Sequence, residues 1–263
     1  MPDSDDAARV RLEIDGPLAR IVLDRPEKLG ALTSGMLGLL DAAADAIDRN
    51  DDVRVAILLA TGARAFCVGA DILAWSSLSP LDMGARWIRD GHRVFDRLAS
   101  LRQPLIAVLN GMTFGGGLEL ALTADIRIAE AHATLGLPEV SIGAIPGWGG
   151  TARLPALIGS ARAKQMIFTA GRIDAGTAER WGLVNEVVPT GQGAARAAAL
   201  AAEIARQAPR SVQIAKQAVD AGQGFGTAVA LEALAGALAA TTADGREGVA
   251  SFRERRPPDF RGA

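Results

Sequence analysis

The 263-residue sequence predicts an α/β core that passes into a helical C-terminal section. Two observations carry this prediction. Up to about Gly149, β-rich runs alternate with segments of helical spacing, and beyond Gly149 the apolar pattern is almost wholly helical. A third observation bounds the class: a formal net charge of −2 describes a mildly acidic chain without the basic excess that polyanion binding requires, so no nucleic-acid partner is expected.

Taken in order, VRLEI (10–14) and ARIVL (19–23) flank the turn signal Asp15-Gly16-Pro17 and predict a hairpin. Met36, Leu37, Leu39, Leu40, Ala43, Ala44 and Ile47 then recur at helical spacing behind the capping candidates Thr33 and Ser34, and the run stops at Asn50-Asp51-Asp52. VRVAILLA (53–60) reads as a buried strand. Ala65 to Asp71 reads as a glycine-bearing loop, Asp82 to Ser100 as helical, and LIAVLN (105–110) as a strand after Pro104. Gly115 to Leu122 opens a helix, and IRIA (126–129) and ATLGL (133–137) are strand-like.

Past Gly149, helices are predicted over Ala161–Thr169, Asp174–Trp181, Gly193–Gln207, Arg210–Ala221 and Gly224–Ala240, with LVNEVV (183–188) as the only strand-like run. Gly191-Gln192-Gly193 is a candidate boundary between residues 1–190 and 191–263, although a loop within one domain reads the same. Ala228 to Ala240 is alanine-rich, contains Glu232 and falls short of the roughly 20 apolar residues a bilayer demands, so it reads as a packed helix and no membrane span is expected. The start, MPDSDDAARV, carries acidic residues where a secretory signal is basic and lacks the apolar run that follows one; it reads as a short disordered tail.

One cysteine, Cys67, excludes an internal disulfide and a multi-cysteine metal site, which fits a reducing cytoplasm. Tyrosine is absent and histidine occurs twice, at His92 and His132, so acid-base groups narrow to carboxylates, lysines and those two rings, and no metal centre is expected. The stretch from Gly111 to Thr151 concentrates the chemistry. It reads GMTFGGGLELALTAD, then LGLPEVSIGAIPGWGGT, with Glu119 and Glu139 each beside glycines. Acid-base work on a carbonyl substrate needs carboxylates near the reacting carbons, and the negative charge that develops needs N–H donors that no side chain shields.

Ordered motifs run along nearly the whole chain: RPEKLGALT (25–33), AFCVGADI (65–72), NGMTFGGGLELAL (110–122), ADIRIA (124–129), LPEVSIGAIPGWGGTARL (137–154), TAGRIDAGTAERWGLVNEVV (169–188) and EGVASFRERRPPDF (247–260). On these motifs the chain resembles the crotonase superfamily, the enoyl-CoA hydratases and isomerases. The resemblance implies a spiral of repeated ββα units, a helical C-terminal region used in trimerisation, and trimers that pair into hexamers. It implies an acyl-CoA thioester substrate, with coenzyme A as part of the substrate and no separate cofactor. It also implies an oxyanion hole made by the N–H groups of Ala70 and Gly116, with catalysis by the paired glutamates Glu119 and Glu139. Glu119 is assigned to holding and deprotonating water, Glu139 to positioning it and protonating the α-carbon, and the Gly147 N–H to supporting the catalytic end of the site. Substrate contacts are implied for Arg25, Lys28, Asp71, Ile72 and Trp148.

Plainer readings stand beside these. Taken alone, Glu119 is an ordinary exposed helix glutamate, and Glu139 a first-turn or strand-end surface charge. The apolar neighbours Leu118, Leu120 and Leu122 count against the first. Gly147-Trp148-Gly149-Gly150-Thr151-Ala152 formally fits a dinucleotide fingerprint, but Pro146 interrupts the approach and the nearest acidic residue downstream is Asp174. Asp71 can be read as a loop cap, and Arg25 and Lys28 as solvated turn charges or as contacts to coenzyme A phosphates. Two positions depart from many relatives: Gly30 stands where they have asparagine, and Trp148 where they often have a small residue, so that it either narrows the acyl pocket or packs away from it. A double-bond isomerase, another acyl-CoA lyase or hydrolase, or a catalytically silent scaffold stay open as alternatives to a hydratase.

Overall fold

A computed structural model describes residues 9–221 and 225–263. The expected N-terminal tail and the start of the helix placed at Gly224 lie outside the described residues. Two sheets organise the chain, and the way successive strands are shared between them generates the spiral.

The hairpin forms as β1 (Val10–Asp15) and β2 (Leu18–Leu23), antiparallel with Val10 opposite Leu23. Helix α1 (Ser34–Arg49) starts where Thr33 caps the N–H of Met36 and buries Met36, Leu40 and Ile47 along one stripe. Full burial of such side chains stabilises the fold by about 1.5–3 kcal/mol each. Then come β3 (Val55–Ala60) and β4 (Ala65–Cys67), followed by the short helices α2 (Ile72–Trp75) and α3 (Pro80–Asp82), a π-helical turn over Met83–Ile88, and α4 (Arg89–Ala99).

The next unit is β5 (Leu105–Leu109), β6 (Met112–Phe114) and α5 (Gly116–Ala121). After it come β7 (Ile126–Glu130), β8 (Thr134–Gly136), α6 (Gly150–Ile158) and α7 (Ser160–Phe168). The core closes with β9 (Arg172–Asp174), α8 (Ala175–Trp181) and β10 (Glu186–Val188). The hairpin β1–β2 lies wholly in the six-stranded sheet β1-β2-β3-β5-β7-β10, whereas in the pairs β3–β4, β5–β6 and β7–β8 the first strand joins that sheet and the second joins the four-stranded sheet β4-β6-β8-β9. Between β5 and β6 the chain turns at Gly111, φ 150°, where a Cβ would overlap the carbonyl of Arg64.

The large sheet is covered on both faces, which explains its continuous apolar strands. Along β3, Ala56 and Leu58 enter the main core, while Val55 and Ile57 face Ala197 and Ala201 of α9 (Gly193–Ala205). Helices α10 (Pro209–Ala221), α11 (Phe225–Thr241) and α12 (Ala243–Glu254) complete the chain. Lys216 of α10 reaches Asp125 at 2.8 Å, and buried Asp244 of α12 accepts the N–H groups of Arg261 and Gly262. Among the described residues no helix is long and apolar enough to cross a membrane.

Three expectations need correction. The loop expected over Ala65–Asp71 contains strand β4, because its first three residues pair with β6. LVNEVV is not the only strand past Gly149: β9 pairs antiparallel with β8, too short and too polar to show in the pattern. Helix α6, starting at Gly150, and helix α12 were also not expected, glycine at the start of one and charge along the other obscuring their periodicity.

Candidate active site

The end of β4, the start of α5 and the loop before α6 meet around a cavity of about 550 Å³. Ala70, Gly116, Glu119, Glu139, Gly147, Trp148 and Ile72 all line it. These residues come from three separate motifs, joined because β4, β6 and β8 are neighbours in the small sheet.

The two glycine-rich loops approach each other through missing side chains. Gly69 has φ 105°, and a Cβ there would lie 3.1 Å from the Gly116 nitrogen; a Cβ at Gly116 would lie 3.5 Å from the nitrogen of Ala70. Leu32 pairs with this loop through its neighbours, giving its N–H to Gly69 and accepting from Asp71, so the Ala70 N–H is left over. Gly116 is the first residue of α5, where an N–H has no intrahelical acceptor. Two backbone donors therefore stand side by side at the cavity wall.

Glu119, one turn into α5, is 2% exposed. Its Oε1 accepts the N–H groups of Trp148 and Gly150, both at 2.8 Å. Burial pushes its pKa up, opposed by those two N–H groups, by the N–H of Gly147 and by His92 on α4. The surface reading of this glutamate is thereby excluded. Glu139, which also lines the cavity, opens a 3-10 turn, Glu139–Ile142. Its Oε2 is buried with no hydrogen-bond partner, and burial, together with the charge of Glu119, raises its pKa to about 7. One carboxyl is held rigidly by two N–H donors; the other is poised to carry a proton at neutral pH.

Trp148 does not pack away from the site. It is 3% exposed, packs with ring centres 5.2 Å from both Trp87, tilted, and Phe95, edge-on, and gives its indole N–H to the Trp87 carbonyl at 3.3 Å. Trp75 and Trp87 also line the cavity.

Arg25 and Asp71 lie behind the wall. The Arg25 guanidinium bonds Asp71 at 2.8 Å and the Ala31 carbonyl at 2.9 Å, and Asp71 caps the N–H of Leu73. Burial raises the Asp71 pKa, but Arg25, the Leu73 N–H and the charge of Lys28 together outweigh it and hold the carboxyl below its usual range. Lys28 is exposed at the end of a 3-10 turn, Pro26–Lys28, away from the cavity lining. Gly30 is fixed in its loop: its φ is 71°, its N–H binds the Arg25 carbonyl, and a Cβ would lie 2.5 Å from the carbonyl oxygen of Phe66. Sequence reasoning missed Gly91 and Phe95, which pack against Trp148. The detectable signal was Gly91, a glycine inside an otherwise amphipathic helix, which calls for a packing reason.

A family model described as Enoyl-CoA hydratase/isomerase matches residues 13–263. The chain is 39% identical to the short-chain-enoyl-CoA hydratase of Clostridium acetobutylicum, over 94% of this chain and 95% of that one. It is 37% identical to the crotonyl-CoA hydratase of Syntrophomonas wolfei, over 95% and 96%. Its fold superposes on an enoyl-CoA hydratase from Bacillus anthracis with a TM-score of 0.93, at 34% identity, covering 97% of this chain and all of that chain. The spiral, the loops that meet at its cavity and these likenesses together place the chain in the enoyl-CoA hydratase/isomerase family.

Proposed function

We propose that the protein is an enoyl-CoA hydratase, adding water in syn fashion across a 2-trans-enoyl-CoA thioester to give a 3-hydroxyacyl-CoA. The observation that carries this reading is the pair of carboxyls lining one cavity, one held by backbone donors and one with an unpaired oxygen and a pKa raised to about 7. Double-bond migration needs only one carboxylate. Hydration needs a base for water and an acid for the α-carbon.

The thioester oxygen sits between the N–H groups of Ala70 and Gly116, which stabilise its charge as the α-carbon becomes enolate-like. Glu119 takes a proton from water as the water oxygen bonds to the β-carbon. Glu139 then gives its proton to the α-carbon, and the C=C π electrons end in the new C–H bond. Both elements of water are thus accounted for once Glu119 passes its proton on and Glu139 regains one. Coenzyme A enters as part of the substrate, and the chain's own residues supply every catalytic group in this scheme.

Exposed Leu234, Leu238 and Phe252 on the C-terminal helices support assembly into a homotrimer, or into a hexamer of paired trimers. A sequence with one cysteine, Cys67, forms no internal disulfide, which suits a reducing cytoplasm. The test follows loss of the conjugated enoyl-thioester absorbance with crotonyl-CoA. Wild type is expected to turn over, and Glu119→Gln and Glu139→Gln each to lose at least about a hundredfold. Full turnover by either variant would reject the assignment.

A further inference from the structure

The indole of Trp148 occupies a slot that the neighbouring helices leave for it. Its pyrrole edge lies against Gly91 of α4, where any Cβ would overlap the indole nitrogen. Its benzo edge lies against Gly116 at the start of α5, where a Cβ would stand 2.8 Å away. Trp87 and Phe95 hold the ring from the sides, and the Trp87 carbonyl, at the end of the π-helical turn, accepts its N–H. The side chain therefore reaches from Gly91 of α4 to Gly116 of α5, and Trp148 also lines the cavity.

We infer that Trp148 is the residue that sets acyl-chain length, its indole plugging a passage between α4 and α5 that would otherwise extend the acyl pocket. This rests on the hydratase reading. The backbone N–H of Trp148, not its side chain, binds Glu119, so shortening the side chain opens the passage without deleting a bond to the catalytic carboxyl. With the plug in place the pocket accepts a short, crotonyl-sized acyl group. An acyl chain with several more methylenes finds no space between the helices.

The test measures kcat/KM for enoyl-CoA thioesters of four, six, eight and ten carbons. Wild type is expected to fall at least about tenfold from four to ten carbons, the scale on which a closed apolar pocket discriminates methylenes. In Trp148→Ala the ratio of ten-carbon to four-carbon activity is expected to rise at least about tenfold. Trp148→Leu keeps more apolar volume and gives an intermediate rise, so the inference stays testable if the alanine variant does not fold, as judged by circular dichroism. A flat wild-type profile, or an unchanged ratio in folded Trp148 variants that still hydrate crotonyl-CoA, overturns the inference while leaving the hydratase reading intact. Absence of hydration with every chain length in wild type overturns that reading, and this inference with it.

Discussion

Glu139→Gln should abolish catalysis and, above neutral pH, stabilise the protein. In the fold the Glu139 carboxyl loses water and faces Glu119, so its pKa rises from 4.5 to about 7. A carboxyl whose folded pKa exceeds its unfolded one binds more protons when folded, so stability is fully present below about 4.5 and is lost as pH rises through about 7. The rise, converted at about 1.4 kcal/mol per pH unit, comes to about 3 kcal/mol. Water at the cavity mouth screens the charge and lowers this to about 1–3 kcal/mol. Glutamine mimics the neutral acid and carries no such penalty. At about 2–4 °C per kcal/mol for a chain of this size, thermal melts should place the variant roughly 2–12 °C above wild type at pH 8.5, with little difference at pH 4. Equal melting temperatures at both pH values, or the same shift at both, would refute the reasoning.

Other outcomes follow from the same geometry. Hydration should weaken as pH rises through about 7, because Glu139 must hold a proton to protonate the α-carbon; a rate rising through that range would assign the acid elsewhere. Ala70→Pro removes one backbone donor without adding a Cβ, and kcat should fall by about 10²–10³ in a folded protein. The equivalent change at Gly116 is a poorer probe, since its Cβ would stand 2.8 Å from the Trp148 ring. Arg25→Ala frees Asp71 and the loop carrying Ala70, and should cost about 1–2 kcal/mol of stability together with a kcat loss of roughly tenfold. If KM for the thioester rises while kcat holds, Arg25 acts on coenzyme A and not on the loop.

Where the hydrophobic period was long and unbroken, the sequence was a sufficient guide: α1, with its Thr33 cap, and the apolar strands β3 and β5 stand where their patterns put them. Of the second sheet only β8 was legible, inside the strand-like run ATLGL; β4, β6 and β9 have three residues each, and a period of two cannot be read over so few positions. At the site, the glycine-framed glutamates could be picked out, and the convergence of Ala70 with Gly116 followed from the resemblance. Their electrostatic difference could not be read, since it depends on which oxygen meets the N–H groups of Trp148 and Gly150 and which meets none. Arg25 looked from its motif like a phosphate contact, and its capture by Asp71, 46 residues away, is a tertiary fact no local pattern encodes.

The central claim is that two carboxyls add water across the enoyl double bond. Its most direct test is the isotopic content of the product formed from crotonyl-CoA in deuterated, oxygen-18-labelled water, read by mass spectrometry. The account predicts 3-hydroxybutyryl-CoA with one heavy oxygen on the β-carbon and one deuterium on the α-carbon, lost in both glutamine variants. A product with a shifted double bond and no heavy oxygen would contradict it.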